Sequence, residues 1–347
     1  MKYRALGKTN LKVSEIGMGT WQLANDPNMW VGGDLNESIK ALYKYVELGG
    51  NFIDTAWIYG YDSESQQNPT AEDLIGKFLK ESGKRDNLII ASKIAPKNWN
   101  WPTLKGTLIK EVFPKEQIET LVNESLKRLG IEYIDLMQFH VWQDDWSTED
   151  EWKETIQKIT KEGKVKHWGI SVNDYQPSNC LKTLDTGLIE TIQFIFNIFH
   201  QKPTEKLLPY AKQNNIGLIA RVPLDEGGLT GKWTGDHKFL EGDFRNDYFC
   251  KERLDELVVR TDKLKELLGK ETTSLAELAL RYILSFDEIS TTIPGMRKVQ
   301  FVESNTTISD GRKLSKELLK ELKKHKWERN FYSTHDPWLK EFGFVEN

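Results

Sequence analysis

Two rhythms alternate along the chain. Short runs in which almost every residue is apolar or β-branched give way to longer stretches whose apolar residues recur every three or four positions, and the order then repeats. The short runs read as strands buried in a sheet and the longer stretches as amphipathic helices, so their alternation predicts βα units around a parallel sheet. The strand runs lie at residues 15–20, 51–55, 88–93, 133–140, 166–171, 191–196, 217–222 and 290–294, eight in all. Eight is the number that closes a (β/α)8 barrel, the TIM-barrel form of the α/β class.

Helical periodicity fills the intervals at residues 36–48, 70–81, 115–129, 148–162 and 203–213, with a longer pair at 251–268 and 274–284. Asn36 before Glu37, the run Ser147-Thr148-Glu149-Asp150, and Thr273 or Ser274 before Glu277 are helix-start signals. Gly130 and Gly163 stand where helices should stop. Ahead of the first strand, residues 3–13 read as a small hairpin with a polar turn, placed to plug the bottom of the barrel. Residues 95–114 and 225–249 exceed the bare βα rhythm, and long loops after strands belong to the catalytic face of such a barrel. After the eighth unit comes an extra helix and an aromatic tail with Trp327, Phe331, Tyr332, Trp338, Phe342 and Phe344. The tail is expected on the outside of the barrel, with partial cover of the active site as the alternative.

A chain of 347 residues fits one such barrel with insertions, and a single domain over 1–347 is expected. Its 38% hydrophobic content argues against disorder, and 48 basic against 52 acidic residues offer no general attraction for nucleic acid. The first residues lack the apolar core of a signal peptide and no run is long enough to span a membrane, so a cytoplasmic protein is expected. Cys180 and Cys250 are the only cysteines, outside any metal-ligand spacing, so neither a disulfide framework nor a metal site is indicated.

The ends of barrel strands are where chemistry is carried out. Asp54 ends the second strand run, Tyr59 follows in Trp57-Ile58-Tyr59-Gly60, Lys93 ends the third run and His140 the fourth. A phenol, an ammonium and a carboxylate brought together make a proton donor, and a nearby cation favours the tyrosinate, which would move Tyr59 from about 10 toward working pH. The histidine can orient a carbonyl oxygen.

On these residues and their flanks the chain resembles the aldo-keto reductase superfamily over nearly its whole length. Val13-Ser14-Glu15-Ile16-Gly17-Met18-Gly19-Thr20-Trp21 is similar to the family's first strand, and Phe52-Ile53-Asp54-Thr55-Ala56 with Tyr59-Gly60 to its catalytic signature. Ser125-Leu126-Lys127-Arg128-Leu129-Gly130 with Tyr133-Ile134-Asp135-Leu136 is similar to the segment that leads to the catalytic histidine. The resemblance implies reduction of an aldehyde or ketone with NADPH: hydride from the nicotinamide, a proton from Tyr59 tuned by Lys93 and Asp54, and a substrate positioned by His140. An NADPH-binding regulatory protein that keeps the reductase fold is the alternative.

A Rossmann GxGxxG is absent, since Gly17-Met18-Gly19 leads into Thr20-Trp21-Gln22, so the cofactor must be held by barrel loops. The resemblance places Gly19, Thr20 and Trp21 at the first loop. It puts Ser171, Asn173 and Gln193 at the carboxamide, and Arg221, Val222, Pro223, Leu224, Gly228, Leu229, Gly231 and Lys232 along the pyrophosphate strap. Gly295, Arg297 and Lys298 fall at the adenosine phosphate, with Arg297 and Lys298 toward the 2′-phosphate, and Asn305 falls at the adenine. Arg221 stands where much of the family stacks an aromatic ring on the nicotinamide, and a guanidinium there should weaken NADP+ relative to NADPH. Of 12 tryptophans, Trp21, Trp30, Trp57, Trp99, Trp101 and Trp142 lie on loops expected at the strand ends and are candidate walls for a sugar or aromatic carbonyl substrate.

Overall fold

The structure is a computed structural model that describes residues 1–24, 26, 29–61 and 68–327. Strands β1 (Tyr3–Ala5) and β2 (Lys12–Ser14) form an antiparallel hairpin, with Tyr3 opposite Ser14. Eight parallel strands follow: β3 (Met18–Gly19), β4 (Phe52–Asp54), β5 (Ile89–Ile94), β6 (Ile134–Phe139), β7 (Val165–Ser171), β8 (Thr191–Ile195), β9 (Gly217–Arg221) and β10 (Thr291–Thr292). They neighbour one another in sequence order, as successive βα units require. The sheet closes between its ends through Gly17 N to Thr292 O (2.8 Å), Thr292 N to Glu15 O (3.0 Å) and Gly19 N to Pro294 O (3.1 Å). It is a TIM barrel, and its first and last strands are shorter than their apolar runs. At this seam Pro294 has no N–H to extend the ladder, and a Cβ on Gly19 would stand 2.7 Å from the Ile293 carbonyl oxygen.

Helices cover the outer face of the barrel. The expected helix at 115–129 is found as Lys115–Leu129, and Gly130 closes it in the left-handed conformation at φ +64°. Ala71–Ser82 begins with a reciprocal cap between Thr70 and Asp73. Asn36 does not cap the helix Leu35–Glu47; Asp34 does, its carboxylate accepting from the N–H groups of Asn36 and Glu37. Glu151–Lys161 starts three residues later than expected, because Asp144–Thr148 turns as a 3-10 helix. Ser274, not Thr273, caps Leu275–Leu284. The helices Val299–Thr306 and Lys316–Leu322 follow β10. Trp327 is buried at right angles to Phe199, outside the barrel; Phe331, Tyr332, Trp338, Phe342 and Phe344 lie outside the described residues. No helix among the described residues is long and apolar enough to cross a membrane.

The hairpin does plug the barrel floor. Leu6 and Val13 pack inside it with Phe52, Ile89, Ala91, Leu136, Ile219 and Ile293, a cluster separate from the main core between strands and helices. Gly7 lies so close to β9 that a Cβ would come within 2.1 Å of Gly217 N, and its φ of +55° suits glycine. Arg4 fastens the plug: its guanidinium donates to the carbonyls of Leu284, Phe286 and Ile289 and pairs with buried Glu15 at 2.9 Å. Arg4→Leu would leave the Glu15 carboxylate buried without its cation. We expect a loss of about 3 kcal/mol of stability, read as a lowered urea midpoint against the unchanged chain.

Candidate active site

Each element end brings one polar group to the same face. Asp54 closes β4, Lys93 sits one residue before the end of β5, and His140 follows β6 directly. Tyr59 lies in the turn after β4, fixed by its N–H to Ala56 O (3.1 Å) and its carbonyl to Ala71 N (2.9 Å). Lys93, fully buried, donates to Asp54 Oδ1 at 2.6 Å, to the Thr55 carbonyl at 2.7 Å and to Tyr59 Oη at 3.3 Å. All three hydrogens of the ammonium are thus engaged, two of them by the groups that hold its charge. The His140 ring meets the Tyr59 ring edge-on at 5.8 Å.

The electrostatics depart from the expectation of a tyrosinate. Burial, and next the Asp54 carboxylate, hold the Tyr59 phenol well above its ordinary 10, while Arg221 opposes them. Tyr59 is therefore protonated, with the Lys93 ammonium 3.3 Å from its oxygen. Burial also lowers Lys93, against the pull of Asp54. His140 is driven well below its ordinary value by burial and then by Lys93 and Arg221, so the imidazole is neutral. Its Nδ1 is buried without a hydrogen-bond partner among the described residues.

Behind the carboxylate stands a pair of amides. Gln193 Nε2 donates to Asp54 Oδ2 at 2.7 Å, Gln138 Nε2 reaches the same oxygen at 3.3 Å, and Ser171 Oγ lies 3.5 Å from Gln193 Oε1. Gln138 was missed from the sequence, although its place two residues before His140 on β6 puts it on the same face of the strand. Asn173 has other work as well: its amide donates to Thr103 O and Gln176 Oε1 and accepts from Thr103 N, clamping the loop that carries Trp101.

These groups open onto one cavity of about 1230 Å³. Its wall includes Asp54, Tyr59 and His140, and Gly19, Thr20, Trp21, Ser171, Asn173, Gln193, Arg221, Val222, Pro223, Leu224, Lys232, Gly295, Arg297, Lys298 and Asn305. Gly228, Leu229 and Gly231 do not line it: they lie behind the strap, where Leu229 is buried and the two glycines pack against Leu257 and Leu275. Arg221 is held by an ion pair with Asp174 and a 3.0 Å bond to the Val172 carbonyl.

Of the six tryptophans, Trp21, Trp30 and Trp101 face the cavity. Trp21 stacks on Tyr59 at 5.9 Å and Trp101 meets His140 edge-on at 5.8 Å. Trp142 and Trp57 are instead part of the core, because each indole N–H finds an internal acceptor, Thr183 Oγ1 at 2.8 Å and Glu124 Oε2 at 2.7 Å. Trp99 is half exposed and sits beyond the wall, against Tyr61 and Trp101. The long loop after β9 supplies Phe244, Arg245 and Tyr248, which its length alone did not reveal, and Phe244 N bonds to Met29 O across the mouth.

The family model described as Aldo/keto reductase family matches residues 15–326. The chain belongs to the aldo/keto reductase family. This aldo/keto reductase is 32% identical over 312 residues to the aldo-keto reductase YhdN of Bacillus subtilis, covering 89% of each chain. It superposes on an aldo-keto reductase of Bacillus halodurans in its holo form with a TM-score of 0.71 at 26% identity, covering 96% of this chain and 99% of that one. A glycerol dehydrogenase of Gluconobacter oxydans gives 0.74 at 25% identity, covering 100% and 97%. The aldo/keto reductase described here is accordingly an oxidoreductase of carbonyl groups that works with a nicotinamide cofactor.

Trp142→Ala should cost about 3–5 kcal/mol of stability by opening a core cavity, with KM for a carbonyl substrate unchanged in the surviving protein. Trp101→Ala should do the reverse, raising KM several-fold with an unchanged denaturation midpoint. Steady-state kinetics and urea titration of the two variants check both.

Proposed function

We propose that the protein reduces an aldehyde or ketone to the alcohol with NADPH as the preferred cofactor. The contact of Lys93 with both Asp54 and Tyr59, at the head of a cavity that leads to Arg297 and Lys298, is the observation that carries this reading. The cavity exceeds the roughly 300–1,000 Å³ of ordinary small-ligand pockets, as a dinucleotide beside a substrate needs. Its buried polar atoms His140 Nδ1, Gln22 Oε1 and Trp30 Nε1 have no hydrogen-bond partner among the described residues.

A dihydronicotinamide held there by these loops would supply the hydride for the carbonyl carbon. Tyr59 Oη gives its proton to the carbonyl oxygen as charge develops on it. The Lys93 ammonium, 3.3 Å away, stabilises the phenolate that remains, and Asp54 keeps the ammonium charged and fixed. Gln193 and Gln138 hold the second oxygen of Asp54, so the carboxylate cannot turn toward the phenol and compete for its proton. Neutral His140 donates a hydrogen bond to the same carbonyl oxygen without adding a charge that would hold the tyrosine proton back. Trp21 and Trp101, beside Tyr59 and His140, favour a carbonyl carried on a flat or ring-shaped molecule, a sugar or an aromatic.

The preference for NADPH is assigned to Arg297 and Lys298. Arg297 is partly buried and bonded to the Val31 carbonyl, and Lys298 is exposed at the start of the helix Val299–Thr306, so a 2′-phosphate would meet one anchored and one exposed cation.

Tyr59→Phe should lower kcat by at least about a hundredfold while NADPH still quenches the protein's fluorescence with nearly the original Kd. An active Tyr59→Phe enzyme would exclude this proton donor. Replacing Arg297 and Lys298 by Leu and Met should weaken NADPH by about tenfold or more and leave NADH nearly untouched, measured by the same quenching titration.

A further inference from the structure

The turn after β9 carries a carboxyl group that the reduction above does not use. Val222, Asp225 and Glu226 have φ of +53°, +52° and +53°, a left-handed conformation that costs non-glycine residues on the order of 1–3 kcal/mol each. The turn is kept by Asp225 N to Val222 O (3.1 Å), Gly227 N to Leu224 O (3.0 Å) and Leu229 N to Leu224 O (3.0 Å). Asn197 Nδ2 donates to the Val222 carbonyl at 2.9 Å. The result is that Glu226 stands on the wall of the same cavity as Tyr59 and Arg221.

The charged groups facing Glu226 come from four elements. Asp225 is its neighbour in the turn, Arg221 ends β9, Asp174 follows β7, and Arg245 opens the short helix Arg245–Tyr248. Tyr59 lines the same cavity, and a Glu226 carboxylate there would hold the phenol's proton more firmly. Both cations already have carboxylate partners: Arg221 pairs with Asp174, and Arg245 holds both oxygens of Asp243 at 2.8 and 2.7 Å. Burial first, and then Asp225, push Glu226 up to about 8. Near neutral pH it is mostly a protonated acid.

We propose that Glu226 compensates the charge of the cofactor, holding its proton while the neutral reduced nicotinamide is bound and losing it to solvent when the ring is the oxidised cation. The reason lies in the chain's own Arg221, whose guanidinium repels a positive ring and whose partner Asp174 is already committed. A nearby carboxyl that ionises only when a second positive charge arrives would offset that repulsion without adding a permanent anion beside the phenol. This rests on the reading that a nicotinamide reacts next to Tyr59.

The test is the affinity for NADP+ and NADPH, by tryptophan fluorescence quenching, from pH 6.5 to 9.5 in the unchanged protein and in Glu226→Gln and Glu226→Asp. The phosphates are common to both dinucleotides, so the ratio of the two dissociation constants isolates the charge of the ring. As pH rises through 8 the acid ionises and NADP+ should gain. We expect Kd(NADP+)/Kd(NADPH) to fall about fivefold between pH 7 and 9, the effect of displacing one acid by about one unit. Glu226→Gln should flatten the ratio at its acid-side value, and Glu226→Asp should keep a slope. A proton release into weakly buffered indicator solution at pH 8, on adding NADP+ but not NADPH, gives the same reading without a variant. A flat ratio in the unchanged protein, or the same slope in Glu226→Gln, would overturn the proposal. Absence of dinucleotide binding at every pH would instead remove the reductase reading on which it stands.

Discussion

The site depends on a buried ion pair. An ammonium taken wholly out of water costs several kcal/mol even after relaxation, and Lys93 bears that cost in full because none of it is exposed. The cost is offset only while Asp54 stays within hydrogen-bond reach, and Asp54 is itself held in place by Gln193, with Gln138 behind it. The cation is then available to the phenol of Tyr59 without being free to choose another partner. Since Asp54, Tyr59, Lys93 and His140 come from the ends of three consecutive strands, the barrel's register, Gly19 beside Asp54 and Lys93 beside Gln138, is itself a part of the site's geometry.

That same burial explains why the ionisation states differ from a reading of residue types. From types alone, a lysine beside a tyrosine suggests a tyrosinate. In the folded protein the loss of water around Tyr59 outweighs the neighbouring cation, and His140 loses its charge for the same reason. Both groups therefore stand in the cavity in their neutral forms.

Much of the barrel was legible in the order of its apolar runs, and the four central residues in the rule that strand ends carry chemistry. The limits of that reading were local. A helix start slipped where two nearby residues could both cap, as with Asp34 and Asn36, because the choice depends on backbone angles that composition does not encode. The tryptophans divided by a criterion invisible in one dimension: Trp142 and Trp57 find acceptors for their indole N–H inside the fold, whereas Trp21 and Trp101 stand beside the polar head of the cavity. Gln138 was readable from strand parity and was overlooked. Phe244, Arg245 and Glu226 were not readable, since long loops carry no periodicity from which a direction could be inferred.

The floor of the barrel has a consequence for how the chain comes into being. Arg4 is tied to carbonyls at Leu284, Phe286 and Ile289, the Lys2 N–H and the Glu15 carboxylate both reach Ser309, and the seam joins residues 15–19 to 292–294. During synthesis the amino-terminal plug must wait, with Leu6 and Val13 uncovered, until almost the entire polypeptide has left the ribosome. Such distant pairings slow folding and leave apolar surface, here that of Leu6 and Val13, open to aggregation until the barrel closes.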